Sequence, residues 1–206
     1  MLINDRNELG RRSVLAMVGG LAVTAAFGGR AFAMTTGQAQ AHVESVVADV
    51  LKAVNSGGPE ARVLAEFKRV FQRAADVPTI ARSVLGVAWR SATPQQRNDF
   101  TVAYQDFLAN QYGRQFQEYR GSTVKVTKAT DQGDKGVLVS SSVSVPGQKS
   151  FAIDWQVSDR SGSVKLFNIF IEGVSMLATG RSEVGAMLGA KGGSVDKLIA
   201  HLRSKT

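Results

Sequence analysis

Hydrophobic positions in the first half of the chain recur at threes and fours. Val43, Val46, Val47, Val50, Leu51 and Val54 line one side of a helix predicted over residues 39–54, and "NSGGP" ends it. A second helix is predicted from about Glu60 to Ala75, with Val63, Leu64, Phe67, Val70 and Phe71 as its stripe. A third runs from about Val77 to Arg90, with Ile80, Val84, Val87 and Ala88 turned inward. "SATPQQRNDF" then supplies a helix start with a mechanism: Thr93 as N-cap, Pro94 in the first position and Gln96 in the third. The fourth helix, about Pro94 to Tyr119, carries Phe100, Tyr104, Phe107, Leu108, Tyr112, Phe116 and Tyr119.

After Gly121 the period changes from three-and-four to two. "STVKVTKAT", "GVLVSSSVSV", "KSFAIDWQVS" and "SVKLFNIFIEG" are separated by the turn-forming clusters "DQGDK", "PGQ" and "DRSG". They predict four strands in an antiparallel meander. The third strand sorts cleanly, with Phe151, Ile153, Trp155 and Val157 on one face and Ser150, Ala152, Asp154 and Gln156 on the other. The fourth does not. Val164, Leu166, Asn168 and Phe170 would share one face and Lys165, Phe167, Ile169 and Ile171 the other, so both are apolar. An antiparallel sheet in a small domain needs only one buried face, and something must cover the second. Two further helices are predicted at about Met176 to Leu188 and Val195 to Ser204, the latter capped by Ser194. The whole is an α+β domain: a four-stranded antiparallel sheet wrapped by N-terminal and C-terminal helices.

Composition narrows the chemistry. Among 206 residues there is no cysteine, which excludes disulfides, thiolate metal sites and iron-sulfur ligation. The first 33 residues read as an export signal. Arg11 and Arg12 precede a Gly/Ala-rich apolar run that ends in Ala31-Phe32-Ala33, an A-x-A cleavage pattern. Arg11-Arg12-Ser13-Val14-Leu15 and the late Arg30 resemble the twin-arginine type. An uncleaved anchor is the competing reading, but Val14 to Gly29 is shorter than the ~20 residues a spanning helix needs. The remaining domain, residues 34–206, keeps a net charge of +6. In an exported chain that charge meets anionic head groups and acidic protein surfaces rather than nucleic acid. The basic residues are scattered, as on an ordinary solvated surface.

Little in the sequence argues for a reaction. His42 and His201 each sit on a helix with no ligand at metal spacing, so no metal site is expected. "VSM" and "RSE" lack a nucleophile elbow, and "LGAKGG" follows a helix rather than a strand, which marks it as a helix end. Asp154 is a wet carboxylate by its place in the alternation. No catalytic residue and no cofactor are expected.

Two stretches carry a resemblance. "LGVAWRSATPQQRNDF", residues 85–100, and "IEGVSMLATGRSEV", residues 171–184, resemble signatures of the MlaC family, also called the toluene-tolerance auxiliary family of ABC transporters. The first matches in Leu85, Gly86, Trp89, Arg90, Ala92, Thr93, Pro94, Gln96, Arg97 and Phe100; the second in Glu172, Gly173, Val174, Ser175, Arg181 and Ser182. Gly180 and Val184 depart from the bulky or aromatic residues that members often carry there. The resemblance implies a fold similar to the nuclear-transport-factor type, a helical shell on a curved sheet with acyl chains held between them. It implies a periplasmic carrier whose cargo is a bound phospholipid, moved between inner and outer membranes. Its implied partners are an inner-membrane ABC transporter complex, met through its ring-forming substrate-binding subunit, and an outer-membrane lipoprotein complex. On that basis the lipid-lining candidates are Val84, Tyr104, Phe107, Phe151, Ile153, Trp155, Phe167, Ile169 and Ile171, with plain core packing as the competing role for each. Arg90 and Arg181 are head-group or docking candidates, or else structural ion-pair partners. A carrier of hopanoid or another lipid, a lipid-free adaptor of the transporter, and an enzyme on the same type of fold remain alternatives.

Overall fold

The computed structural model describes residues 34–56, 59–113 and 118–206. The export signal expected over residues 1–33 and Phe116 of the fourth predicted helix lie outside the described residues. Among the described residues, seven α-helices and five strands follow in the order α1 (Thr36–Asn55), α2 (Glu60–Ala74), α3 (Val77–Leu85), α4 (Ala88–Ser91), α5 (Pro94–Gly113), β1 (Thr123–Asp131), β2 (Val137–Ser144), β3 (Phe151–Ser158), β4 (Lys165–Ile171), β5 (Val174–Ser175), α6 (Met176–Ala190) and α7 (Val195–Arg203). The sheet is an antiparallel meander in the order β1-β2-β3-β4-β5.

Helix starts follow local chemistry. Helix α1 begins three residues before its first apolar position, because Thr35 and Gln38 form a capping box there. The one read from "SATPQQRNDF" is present at α5: the Gln96 N–H donates to Thr93 Oγ1 at 3.1 Å and the Thr93 N–H to Gln96 Oε1 at 2.9 Å. Ser194 caps α7 by accepting from the Lys197 N–H.

Three expectations about elements need correction. The third predicted helix is broken: Gly86, at φ +61°, ends α3, and a separate short α4 follows. Helix α5 is described only to Gly113, with Tyr119 beyond it in a turn that receives the Ser122 N–H. The sheet has five strands rather than four, since Glu172 (φ +49°) and Gly173 (φ +79°) form a two-residue reversal that pairs Ile171 with Val174. A Glu-Gly pair is a weak hairpin signal beside Asn-Gly or Asp-Gly.

Two bulges bend the sheet. In β1 the register shifts between Val126 and Lys128, leaving Thr127 extra, with its hydroxyl donating to the Ser140 carbonyl. In β4 it shifts at Phe167: Gln156 pairs with Asn168, while Val157 pairs with Leu166. A bulge adds a residue to one strand and deepens the local twist.

The apolar interior forms two clusters. One joins α1 and the end of α2 to the sheet through Ala39, Val43, Val46, Val47, Val70 and Ala74 against Val137, Val139, Val157 and Leu166. The other is almost wholly helical and gathers α3, α5, α6 and α7 around Phe100, Tyr104, Val184, Leu198 and Leu202. His42, half-buried on α1, lies 3.3 Å from the Ala74 carbonyl, and burial lowers its pKa, with Lys165 and Arg73 adding smaller repulsions. The neutral ring donating from Nε2 fits that environment. An unfolded chain takes up a proton near pH 6.5, whereas the folded one resists it to lower pH. Stability is therefore full above pH 6.5 and falls as the pH drops through the window below it. Thermal unfolding between pH 7.5 and 5.5 should show a steeper decline for the wild type than for His42→Gln; equal slopes would count against the assignment.

Candidate functional site

The two clusters do not merge, and an apolar cavity of about 320 Å³ lies between them. That size falls within the usual range for ligand pockets. Its floor is the sheet: Phe151, Ile153 and Trp155 from β3, Leu166, Phe167, Ile169 and Ile171 from β4, with Val143 and Val124. Helix α1 contributes Val46, Val47, Val50, Leu51 and Val54, and α2 contributes Phe67, Val70 and Phe71. The rest of the wall includes Ile80 of α3, Tyr104, Leu108 and Tyr112 of α5, and Met176, Leu177, Gly180 and Glu183 of α6.

The β4 bulge resolves the two-apolar-face problem. Uninterrupted alternation would place Leu166 opposite Phe167, but the extra residue lets Leu166 and Phe167 border the same cavity. Trp155 is fixed by its indole N–H, which donates to Ser141 Oγ at 2.9 Å, while that hydroxyl donates to the Ile153 carbonyl at 2.9 Å. A half-buried Trp with a satisfied N–H makes a rigid wall. Asn168 is also satisfied: its Oδ1 accepts the Leu177 N–H at 3.0 Å and its amide donates to Ser175 Oγ at 3.1 Å, which ties β4 to the start of α6.

Of the nine lining candidates, Tyr104, Phe151, Ile153, Trp155, Phe167, Ile169 and Ile171 come together on the cavity wall, and two do not. Val84 is 2% exposed within the helical cluster, facing Gly180. Phe107 borders a second, shallower concavity with Asn110, Gln111, Glu183, Ala186, Met187 and Lys205. Helical rotation explains the difference. Leu108 and Tyr112 follow Tyr104 at steps of four and stay on its cavity side, whereas Phe107, a step of three away, lies on the other flank, its ring stacked on Tyr104 with centroids 6.3 Å apart. The α1 and α2 residues were legible as helix stripes, but nothing in a stripe says whether it meets a void.

Burial raises the hydroxyl pKa values of both Tyr104 and Tyr112, with the Glu183 charge a lesser cause in each. Both tyrosines are neutral donors at ordinary pH. Arg181 points away from the cavity wall: its guanidinium lies over Gly86, and Nη1 donates to the Ser83 carbonyl at 3.4 Å, at the end of α3. A cation beside the last carbonyls of a helix is favourable. Arg90 is exposed on α4, and its own carbonyl receives Arg97 Nη2. Among the described residues, no group of three or more histidines and carboxylates is placed to hold a metal, and no helix is long and apolar enough to cross a membrane.

These features define a class: an α+β cavity protein in which a bulged antiparallel sheet and a helical shell enclose an apolar pocket. The family model described as MlaC protein matches residues 44–204, and the chain belongs to that family. A toluene tolerance protein, Ttg2D, from Pseudomonas putida is 24% identical over 134 residues, covering 64% of this chain and 61% of that protein. The match thus spans less than two thirds of the curated relative's length. A solved phospholipid-binding protein from Ralstonia solanacearum, in complex with a phospholipid, aligns with a TM-score of 0.70 at 25% identity, over 81% of this chain and 96% of that one.

Gly180 marks how closely the wall is fitted. A Cβ there would stand 2.5 Å from the Tyr104 hydroxyl and 3.4 Å from Val84 Cγ1. Tyr104 is 3% exposed, so its ring cannot swing aside freely. Gly180→Ala should lower unfolding stability by about 1–3 kcal/mol. Adding Tyr104→Phe should recover part of that loss in a denaturant double-mutant cycle; additive losses would show that the hydroxyl is not the obstacle.

Proposed function

We propose that this chain is a periplasmic lipid carrier that moves phospholipid between the inner and outer membranes. The observation that supports it best is the cavity, an apolar pocket walled by side chains from five helices and four strands. Burying a methylene is worth ~0.8 kcal/mol, so two ordinary acyl chains cost roughly 20 kcal/mol or more to expose to water. A free lipid therefore does not cross an aqueous gap at a useful rate, and a carrier replaces the bilayer with a dry, preformed pocket. Such a task needs no catalytic group and no cofactor.

The family and the Ralstonia relative's bound phospholipid favour phospholipid as cargo. A lipid-free adaptor has no use for an unfilled interior, and the cavity weighs against that reading. Delivery would be from an inner-membrane ABC transporter complex, through its ring-forming substrate-binding subunit, to or from an outer-membrane lipoprotein complex. Residues 1–33 would act as the export signal, with Arg11 and Arg12 directing the chain to the twin-arginine route.

Native mass spectrometry of the purified protein, followed by solvent extraction, should find a stoichiometric phospholipid. A bare protein mass that persists after incubation with liposomes would overturn the proposal. Phe167→Asp or Ile169→Asp, each setting a carboxylate on the cavity floor, should strip the bound lipid while the fold persists by circular dichroism. Lipid content equal to wild type would remove those positions from the site. Replacing Arg11-Arg12 by Lys-Lys should leave precursor in the cytoplasm, and normal export would instead indicate the general secretory route.

A further inference from the structure

Among the described residues that line the cavity, Glu183 is the exposed one; every other is buried or half-buried. It therefore marks a point where the apolar interior reaches water. Glu183 also borders the second concavity, between α5 and α6, so the two spaces adjoin at this carboxylate. The second concavity has a different chemistry from the first. Around Glu183 it offers the amides of Asn110 and Gln111 and, near the end of the chain, the ammonium of Lys205. Gln111 Oε1 is a buried acceptor with no hydrogen-bond partner. No salt bridge pairs Glu183 or Lys205 within the described residues.

A lipid with its tails in the apolar cavity and its head emerging at Glu183 would lay that head in the second concavity. A carboxylate and an ammonium lining one concavity complement a head group of both signs. The exposed Glu183 carboxylate suits a primary ammonium, which brings three N–H donors, and Lys205 suits a phosphate. A head group with phosphate but no cation can still meet Lys205, but it leaves Glu183 without a cationic partner and sets a second negative charge beside it.

We infer that the α5–α6 concavity is a head-group site selective for zwitterionic phospholipids bearing a primary amine, with Glu183 taking the ammonium and Lys205 the phosphate. This rests on the carrier reading above and deepens it. It also runs against the bulk electrostatics, because a domain of net charge +6 would by itself favour anionic lipid.

The test is a competition. The full chain is incubated with vesicles containing equal amounts of phosphatidylethanolamine and phosphatidylglycerol with identical acyl chains, then re-isolated, and the ratio of the two bound lipids is read by native mass spectrometry. The wild type should be enriched in phosphatidylethanolamine roughly fivefold, and Glu183→Gln should bring the ratio close to that of the vesicles. Glu183 is exposed, so the substitution does not threaten the fold. A wild-type ratio at or below one, or an enrichment that survives Glu183→Gln, overturns the head-group assignment and leaves the carrier reading intact. Failure of the wild type to bind either lipid overturns both.

Discussion

One backbone hydrogen bond joins the two halves of this architecture. The Asp76 N–H donates to the Leu166 carbonyl at 2.7 Å, and Ala75 and Leu166 form a parallel bridge outside the regular sheet. The contact falls where α2 passes into α3 and where β4 is bulged. The same junction is reinforced on both sides: Asp76 caps α3 by accepting the Thr79 N–H at 3.1 Å, and Lys165 donates to the Arg73 carbonyl. Because α2 belongs to the sheet-side cluster and α3 to the helical one, this link, with the Asn168–Leu177 tie between β4 and α6, holds the two cores facing each other.

Holding them apart has an energetic consequence. An apolar void lacks dispersion partners on its inner surface, and one of this size costs on the order of several kcal/mol relative to a filled core. Collapse is opposed by the fit of the walls. Gly113 lets α5 approach α2 so closely that a Cβ would overlap Leu64, Gly180 lets α6 approach Tyr104, and Trp155 is held by Ser141. Each wall is already packed against something other than the wall opposite. The surface left over, curved by two bulges, is what a ligand could cover at no further cost in rearrangement.

Periodicity made the elements readable but not their depth. The helical stripes and the four long strands are plain in the sequence because burial on one face imposes a period, and Thr93 with Gln96 announces α5 through local hydrogen bonding alone. What stayed hidden depends on tertiary contact. The break at Gly86 answers to the Arg181 guanidinium, 95 positions later in the chain, whose nearest nitrogen would meet a Cβ there at 3.2 Å. The bulge at Phe167 is invisible in a strand with apolar residues on both faces, since either register satisfies the pattern. For the same reason Tyr104 and Val84, both buried apolar residues on helices, could not be told apart as wall and core.

The two stretches that carry the family resemblance illustrate which residues a fold constrains most. They meet at the α3–α6 contact, where Arg181 spends its guanidinium on the Ser83 carbonyl and the surface of Gly86. Arg97 does similar work nearby, donating to the carbonyls of Trp89 and Arg90 and lying 5.7 Å from the centre of the Trp89 ring. These arginines hold helix ends, and only arginine presents several planar donors to do so. The cavity wall places no such demand: valine, leucine, isoleucine and phenylalanine all present a dry surface, and exchanging one for another changes shape more than chemistry. Recognisable sequence therefore gathers where the shell is clamped, while the surface that meets a ligand is written in residues that any core would use.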